Sequence, residues 1–321
     1  MPPANAVPAA VPTPSRGRAA TTSRPRVGVV KLASCDGCQL TLLDLEDELL
    51  AIAERFEIVE FAEATSRRSS GPFDVLLVEG SISTPEQAVE IVRLRAATRF
   101  LVTIGACATA GGIQALRTAA EHEAFRAAVY PAPAFVDSLE EATPIAAHVA
   151  VDAELRGCPI DGRQLVELLT ALVTGRRPQL PDQAVCLECK RRGVTCVVVA
   201  RGLPCLGPVT QTGCGAICPA MGRGCYGCFG PRENPNVDSL AAWYIDGQAA
   251  ARPGAIARPA AEVGRLFAGF TGAAPAFRDI TTRLHGRPPL PLIHTTARRP
   301  ELANTAPLRW PSMEDDSDAR R

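Results

Sequence analysis

The stretch RVGVVKLASCDGC, residues 26–38, contains the pattern on which the predicted fold rests. It opens with a continuous apolar run of strand length, Arg26–Ala33, and ends in a short polar loop that carries Cys35 and Cys38. Strands that are covered on both faces of a parallel sheet have runs of this kind. We therefore expect a buried first strand with two thiols directly after its carboxyl end.

Strand and helix patterns continue to alternate along the chain. Strands are predicted at 26–33, 58–64, 74–79 and 100–105, and helices at 40–56, 85–97, 161–174, 238–247 and 260–270. Pro85 stands near the start of one helix and Gly175 follows another, as is common at helix ends. This alternation indicates an α/β fold with a doubly wound parallel sheet.

Composition excludes several classes of protein. The chain has 321 residues, of which 46% are hydrophobic, and a formal net charge of zero, which gives no indication of a nucleic-acid partner. It has no apolar run long enough to cross a membrane. Residues 1–26 lack the apolar core and the twin-arginine motif of export signals. We expect a cytoplasmic protein without a transmembrane segment.

The twelve cysteines form two sets that are built differently. The scattered set is Cys35, Cys38, Cys107 and Cys158, and the dense set is Cys186, Cys189, Cys196, Cys205, Cys214, Cys218, Cys225 and Cys228. A cubane iron–sulfur cluster takes four thiolates. Twelve cysteines divided by four predict three [4Fe–4S] clusters, one in the scattered set and two in the dense set. Spacing leaves the allocation of the dense set between two clusters open.

Disulfides, zinc sites and a thioredoxin-type motif each account for fewer of the twelve cysteines than three iron–sulfur clusters do. Disulfides are rare in a reducing cytosol. A zinc ribbon could use Cys186, Cys189, Cys225 and Cys228, but it would leave the other four cysteines of the dense set to form a second site. A thioredoxin-type motif at Cys35 and Cys38 would leave ten cysteines unexplained. No dinucleotide or phosphate loop is present, so we do not expect this chain to bind NAD itself.

The scattered set is expected to converge at one edge of the sheet. Cys35 and Cys38 follow the first predicted strand, Cys107 follows the fourth, and Cys158 lies in a Gly-Cys-Pro turn. Open α/β sheets bind their ligands at the carboxyl ends of the strands. A single cluster site at that edge is therefore predicted.

Four short segments resemble the small subunit of nickel–iron hydrogenases: SCDGC at 34–38, VEGS at 78–81, GACA at 105–108 and GCP at 157–159. The resemblance implies a flavodoxin-like domain that packs on a large subunit. It also implies that Cys35, Cys38, Cys107 and Cys158 bind the proximal cluster. Glu79 matches a glutamate near that cluster, and is a candidate for the interface or a proton path.

The dense set narrows the resemblance. LPCLGP at 203–208, GCGAICP at 213–219 and GCYGCFGP at 224–231 resemble the cytoplasmic, bidirectional, NAD(P)-linked branch, which includes the sulfhydrogenases. This implies an oxidoreductase subunit without a nickel site or catalytic residue of its own. It would relay electrons through three [4Fe–4S] clusters between the nickel–iron centre of the large subunit and a flavin- and iron–sulfur-containing NAD(P) reductase.

The expected domain organisation follows these motifs. We expect a disordered extension at 1–25, a flavodoxin-like domain with the proximal cluster at 26–178, an irregular, ferredoxin-like two-cluster domain at 179–287 and an extended tail at 288–321. Two other functions stay open. One is an electron carrier related to respiratory complex I but without hydrogenase activity, although its small subunit has adjacent cysteines where this chain has Cys35 and Cys38. The other is a zinc-stabilised interaction module.

Overall fold

A five-stranded parallel sheet forms the first half of the molecule. The computed structural model describes residues 24–119, 121–246 and 257–285. The strands are β1 (Arg26–Lys31), β2 (Glu57–Phe61), β3 (Phe73–Glu79), β4 (Thr98–Ile104) and β5 (Ala153–Leu155). Every neighbouring pair is parallel, in the order β2-β1-β3-β4-β5. This is the flavodoxin-like order, so the predicted fold class is confirmed.

Helices cover both faces of the sheet, and further helices form the second half of the molecule. Those that follow the strands are α1 (Gly37–Leu43), α2 (Asp47–Arg55), α3 (Pro85–Ala96), α4 (Gly105–Ala110), α5 (His122–Val129) and α6 (Gly162–Thr174). The dense set lies among α7 (Val185–Arg191), α8 (Val197–Arg201) and α9 (Ile217–Ala220). The chain then forms α10 (Val237–Ile245), α11 (Ala260–Phe267) and α12 (Pro275–His285). None of the helices in the described ranges is both long enough and apolar enough to span a bilayer.

Alternation along the central strands produces two apolar layers. Val75 and Leu77 of β3 face a cluster that includes Leu165 and Leu168 of α6. Leu76, which is fully buried, faces the opposite cluster with α3. Since successive side chains of a strand point to opposite faces, an unbroken apolar strand requires helices on both sides of the sheet.

The structure corrects several boundaries. The helix predicted at 40–56 is two helices, because Glu46 has a positive φ of 47° and turns the chain between them. This turn places Leu45 against Gly162 at the start of α6. Strand β5 and helix α12 were not predicted. The first has only three residues, too few to show a period. The predictions for residues 1–23 and 286–321 lie outside the described residues.

The segment with the dense set packs on the last three helices. Leu206 and Val209 join an apolar cluster with Tyr244 of α10, Phe267 of α11 and Phe277 of α12. Little periodicity was predicted for this segment, and its three helices are indeed short. Helices α7, α8 and α9 have seven, five and four residues. The frequent Gly and Pro residues around the cysteines limit helix length.

One arginine ties this segment to the sheet. The Arg156 guanidinium, just after β5, donates to Pro231 O at 2.9 Å and to Gln211 Oε1 at 3.3 Å. It also pairs with Glu154 at 3.0 Å. The end of β5 is thereby joined to residues on both sides of the last four cysteines.

Candidate metal centres

The scattered set meets at the carboxyl edge of the sheet. Cys35 and Cys38 follow β1, Cys107 lies in α4 directly after β4, and Cys158 follows β5. Glu79 ends β3, the strand between β1 and β4. The topology therefore brings four thiols from three segments to one edge of the sheet, as the sequence predicted.

Two glycines let backbone approach these thiols closely. A Cβ at Gly105 would lie 2.4 Å from Cys38 Sγ, and one at Gly112 would lie 2.5 Å from Cys107 Sγ. Both glycines have positive φ, at 87° and 66°. Since any larger residue would collide with a thiol, the absence of a side chain at these two positions leaves room for the sulfur atoms.

Burial and mutual proximity perturb the thiols of the scattered set. Burial raises the pKa of Cys107 to about 11, and it also raises the pKa values of Cys38 and Cys158. The charges of Cys107 and Cys158 raise the pKa of Cys38 further, and Cys35 does the same for Cys107 and Cys158. Effects of this kind need short distances between the thiols, so the four cysteines lie near one another.

Glu79 lies beneath this site. Its side chain is 2% exposed, and its two carboxylate oxygens accept the backbone N–H groups of Cys38 and Gln39 at 3.2 Å. Burial raises the pKa of Glu79, and the two N–H groups oppose that rise. The carboxylate thus occupies the N-terminal end of α1 and orients the turn that carries Cys38.

One subgroup of the dense set surrounds Tyr244. Burial raises the pKa of Cys186 to about 11, and Cys205, Cys189 and Cys196 raise it further. Cys186, Cys196 and Cys205 all contribute to a raised pKa of Tyr244, whose main cause is burial. The Tyr244 hydroxyl accepts the Cys205 N–H at 2.7 Å and donates to the Cys205 carbonyl at 2.9 Å.

A second subgroup lies towards the sheet. Burial raises the pKa of Cys228 to about 12, and both Cys214 and Cys218 raise it further. Burial also raises the pKa of Cys225, and the charges of Cys205 and, less strongly, Cys228 raise it further. Cys214 and Cys218 are thereby linked to Cys228, and Cys225 lies between the two subgroups, near both Cys205 and Cys228.

Backbone hydrogen bonds hold the two subgroups together. The Cys225 N–H donates to Cys205 Sγ at 3.1 Å, and the Leu206 N–H donates to the Cys225 carbonyl at 3.0 Å. Gly207 and Gly227 N–H groups donate to the sulfurs of Cys205 and Cys225, each at 3.4 Å. Hydrogen bonds of this type favour the thiolate form.

Cys228 also lies next to Cys158 of the scattered set. The Cys158 backbone N–H lowers the pKa of Cys228 by hydrogen bonding, and the charge of the Cys158 thiol raises it. Phe229, 3% exposed, packs between Gly157 and Gly213, where Cβ atoms would lie 2.8 Å and 2.6 Å from its ring. The two cysteine sets are contiguous in space, which the sequence did not predict.

Sequence reasoning missed the residues that position the cysteines. Glu188 accepts the N–H groups of Gly213 and Ala216 at 3.1 and 3.0 Å and thereby joins α7 to the loop of Cys214. Its place between two cysteines of α7 was a usable signal. Tyr244 gave no such signal, because it is 39 residues from its partner Cys205.

No group of three or more His, Cys, Asp or Glu side chains in the described ranges could hold a single metal ion. Around one zinc ion, with Zn–S bonds of about 2.3 Å, the sulfur atoms would have to lie within about 4 Å of one another. A four-iron cubane is larger than one ion, and its four thiolates stand farther apart. The absence, among the described residues, of a group that could hold a single metal ion therefore says nothing against binding of a four-iron cluster.

Known proteins place the chain in a family. Residues 35–172 match the family described as NADH ubiquinone oxidoreductase, 20 Kd subunit. The chain is 40% identical over 216 residues to sulfhydrogenase 2 subunit delta of Pyrococcus furiosus, an alignment that covers 67% of this chain and 90% of that protein. It is 28% identical over 172 residues to NAD-reducing hydrogenase HoxS subunit delta of Cupriavidus necator, covering 49% and 82%.

A solved structure of an NAD+-reducing [NiFe]-hydrogenase in the H2-reduced state also matches, with 31% identity and a TM-score of 0.46. That match covers 49% of this chain and 96% of the other. The sequence match to the delta subunit of a sulfhydrogenase extends over nine-tenths of that protein at 40% identity. The chain therefore belongs to the family of hydrogenase small subunits that is related to the 20 Kd subunit of NADH ubiquinone oxidoreductase.

Proposed function

We propose that this chain is the electron-relaying small subunit of a nickel–iron hydrogenase. The observation that carries the proposal is the convergence of four cysteines at the carboxyl edge of the sheet, contiguous with the eight of the dense set. As partners we propose a large subunit with the nickel–iron centre and a flavin- and iron–sulfur-containing NAD(P) reductase, in the cytoplasm. The name of the HoxS relative supports the link to NAD.

The residues present fit iron–sulfur clusters. All proposed ligands are thiols, glycines leave room beside two of them, and backbone N–H groups donate to the sulfur atoms of Cys205 and Cys225. Bound [4Fe–4S] clusters supply one-electron transfer. The chain's own residues place the thiolates and tune them through burial, charge and hydrogen bonds.

For the scattered set we propose one cluster, held by Cys35, Cys38, Cys107 and Cys158. For the dense set we propose two. We assign the subgroup around Tyr244 to one cluster: Cys186, Cys189, Cys196 and Cys205. We assign the subgroup towards the sheet to the other: Cys214, Cys218, Cys225 and Cys228. Cys225 also lies close to Cys205, whose charge raises its pKa more than the charge of Cys228 does. We place Cys225 with Cys228 because the two form a Cys-x-x-Cys pair in the sequence.

We also propose a division of the chain at residues 178–179, as the sequence predicted. Two apolar clusters belong to the sheet and its helices, and two others belong to residues after 184. The junction through Arg156 and Phe229 would then fix the spacing of the proposed clusters.

Metal analysis of the complex tests the proposal. We expect about twelve irons and about twelve sulfides in this chain, with nickel only in the large subunit. Hydrogen-dependent viologen reduction should need both subunits. Stoichiometric zinc in place of iron would favour the zinc-stabilised module. Clusters in a native complex without nickel would favour the carrier related to complex I, to which the family description points.

Paired substitutions test the allocation. If Cys186 and Cys196 bind the same cluster, the double variant Cys186→Ser, Cys196→Ser should lose about four irons. The double variant Cys196→Ser, Cys218→Ser should lose about eight, because it affects both clusters. Equal losses in the two variants would contradict the allocation.

A further inference from the structure

The segment that carries the dense set is strongly basic, although the whole chain is neutral. Residues 185–232 contain six Lys or Arg residues and a single acid, Glu188, so their formal charge is 6 − 1 = +5. The formal net charge of the 321 residues is zero. Positive charge is therefore concentrated where eight cysteines lie.

Ion pairing differs between the sheet half of the chain and the segment that carries the dense set. In the first half, arginines pair with carboxylates, as Arg95 does with Asp152 and Arg176 with Glu167, each at 2.6 Å. Among the described residues, the arginines exposed in and beside the dense segment form no salt bridge: Arg191, Arg192, Arg201, Arg223 and Arg265. Their charges are available to an external partner.

Four of these arginines belong to one continuous surface, which we name the basic face. Arg192 donates to the Gly215 carbonyl just before α9, and Arg201 donates to the Gly222 carbonyl just after it. Arg223 and Arg265 line an adjoining cleft of about 450 Å3 together with Gly222. The basic face therefore comprises Arg192, Arg201, Arg223 and Arg265 around helix α9 and this cleft.

Apolar side chains are exposed between these arginines. Ile217 is 56% exposed, Met221 74% and Tyr226 48%. Tyr226 also lines the cleft, next to Cys205 and Cys225. Exposed apolar and aromatic side chains with surrounding arginines are typical of protein–protein interfaces.

We propose that the basic face docks a redox protein whose own docking surface is acidic. The inference rests on the proposed function, since it takes Cys205 and Cys225, which line the cleft, as cluster ligands. Charge complementarity selects an acidic partner and speeds its association. A protein fits better than a membrane, because α9 has only four residues and offers no amphipathic helix to lie in a lipid interface.

The test is a binding titration with the full chain, loaded anaerobically with iron and sulfide. The probes are a plant-type ferredoxin, which is strongly acidic, cytochrome c, which is basic, and vesicles of phosphatidylserine and phosphatidylcholine. We expect the ferredoxin to bind and cytochrome c not to bind. Ferredoxin affinity should fall between about 0.01 M and about 0.15 M salt, as the Debye length shrinks from ~30 Å to ~8 Å.

A charge-reversal variant locates the interaction. Arg223→Glu with Arg265→Glu should weaken ferredoxin binding about tenfold or more. The control Arg67→Glu with Arg68→Glu makes the same change in net charge on the sheet half, at side chains that are each 58% exposed. It should bind ferredoxin nearly as the unchanged chain does.

Several results would overturn the proposal: no ferredoxin binding at low salt, equal effects of both variants, or tight binding to the vesicles with none to ferredoxin. Iron content is measured on each preparation. If the chain holds twelve irons but ferredoxin binding does not change when Arg223 and Arg265 are substituted, the basic face is rejected and the proposed function is still supported. A chain without iron would reject the proposed function, while the titration still reports on the basic face.

Discussion

At the scale of single residues, the candidate centres depend on how closely backbone and thiols can approach. Gly105 and Gly112 have positive φ and sit against Cys38 and Cys107. Burial of the thiols raises their pKa values, so that in the unloaded chain they bind protons rather than carry charge. The close approach of these glycines and the raised pKa values of the thiols can both be tested on this chain alone.

Gly105→Ala should selectively remove the cluster proposed for the scattered set. The new Cβ would lie 2.4 Å from Cys38 Sγ. Gly193→Ala is the matched control, since Gly193 also has positive φ, 65°, but has no atom within 4 Å of a Cβ. We expect Gly105→Ala to lose about four irons and the control to lose none. Equal iron contents in the two variants would contradict this account of the site.

Cluster loading should strengthen as pH rises. Burial raises the pKa of Cys107 to about 11 and that of Cys228 to about 12, so these thiols are protonated at neutral pH and must release protons on binding iron. Chelator competition at pH values of about 6.5 and about 8.5 should show tighter iron binding at the higher pH, by up to about tenfold per pH unit for each proton released. Loading that is independent of pH would contradict the prediction.

The same raised pKa values affect the unloaded chain in the opposite direction. A thiol whose pKa is higher in the folded state than its usual value of about 8.5 stabilises the fold fully below that pH. This contribution is lost as the pH rises from about 8.5 towards the folded value of about 11 for Cys107. Denaturant unfolding of the unloaded chain should therefore show falling stability over that interval.

At the scale of elements, strand ends and helix starts build the scattered site together. Strand β3 ends at Glu79, whose carboxylate accepts the N–H groups at the start of α1. Helix α1 has only seven residues, so its first-turn N–H groups are a large share of its backbone donors. The position of Cys38 thus depends on a contact between the end of β3 and the start of α1, the helix that follows the neighbouring strand β1.

Glu79→Ala should destabilise the unloaded chain by about 2 kcal/mol, because it leaves the buried N–H groups of Cys38 and Gln39 without an acceptor. Glu79→Gln is the control, since its amide oxygen can still accept one of them. Denaturant unfolding measures both. A loss as large in the Gln variant as in the Ala variant would show that charge, rather than hydrogen bonding, is what Glu79 supplies.

At the scale of the whole molecule, one contact region joins the sheet half to the dense segment. Arg156 contacts Gln211 and Pro231, and Phe229 packs between Gly157 and Gly213. Any relay between the two halves depends on this region, because it sets the separation of Cys158 and Cys228.

Arg156→Ala should loosen the dense segment without affecting the sheet. We expect about tenfold faster hydrogen exchange at the amides of Gln211 and Arg232, which donate to Gly230 and Val209, for a loss of about 1.4 kcal/mol. Amides that pair β3 with β4 should keep their protection. Arg156→Lys, which retains the charge but not the planar group, should give a smaller change. Uniform loosening across the chain would mean that Arg156 stabilises the whole fold rather than the junction.

Patterns in the sequence were enough to predict a parallel sheet with four of its five strands, the strand ends that carry Cys35, Cys38 and Cys107, and the division of the cysteines into two sets. These features follow from short-range patterns: apolar runs, turn residues and the spacing of ligands. Short-range patterns failed for β5, which has three residues, and for the break at Glu46, where packing of Leu45 on Gly162 overrides a helical period.

Which residues become neighbours across long stretches of chain is a property of the folded molecule as a whole. Tyr244 meets Cys205 across 39 residues, and Cys158 meets Cys228 across 70. The grouping of the dense set and the continuity of the basic face depend on the same kind of contact. Such contacts arise when separate apolar surfaces pack together, and packing depends on the shape of the assembled chain, which no local pattern of residues encodes.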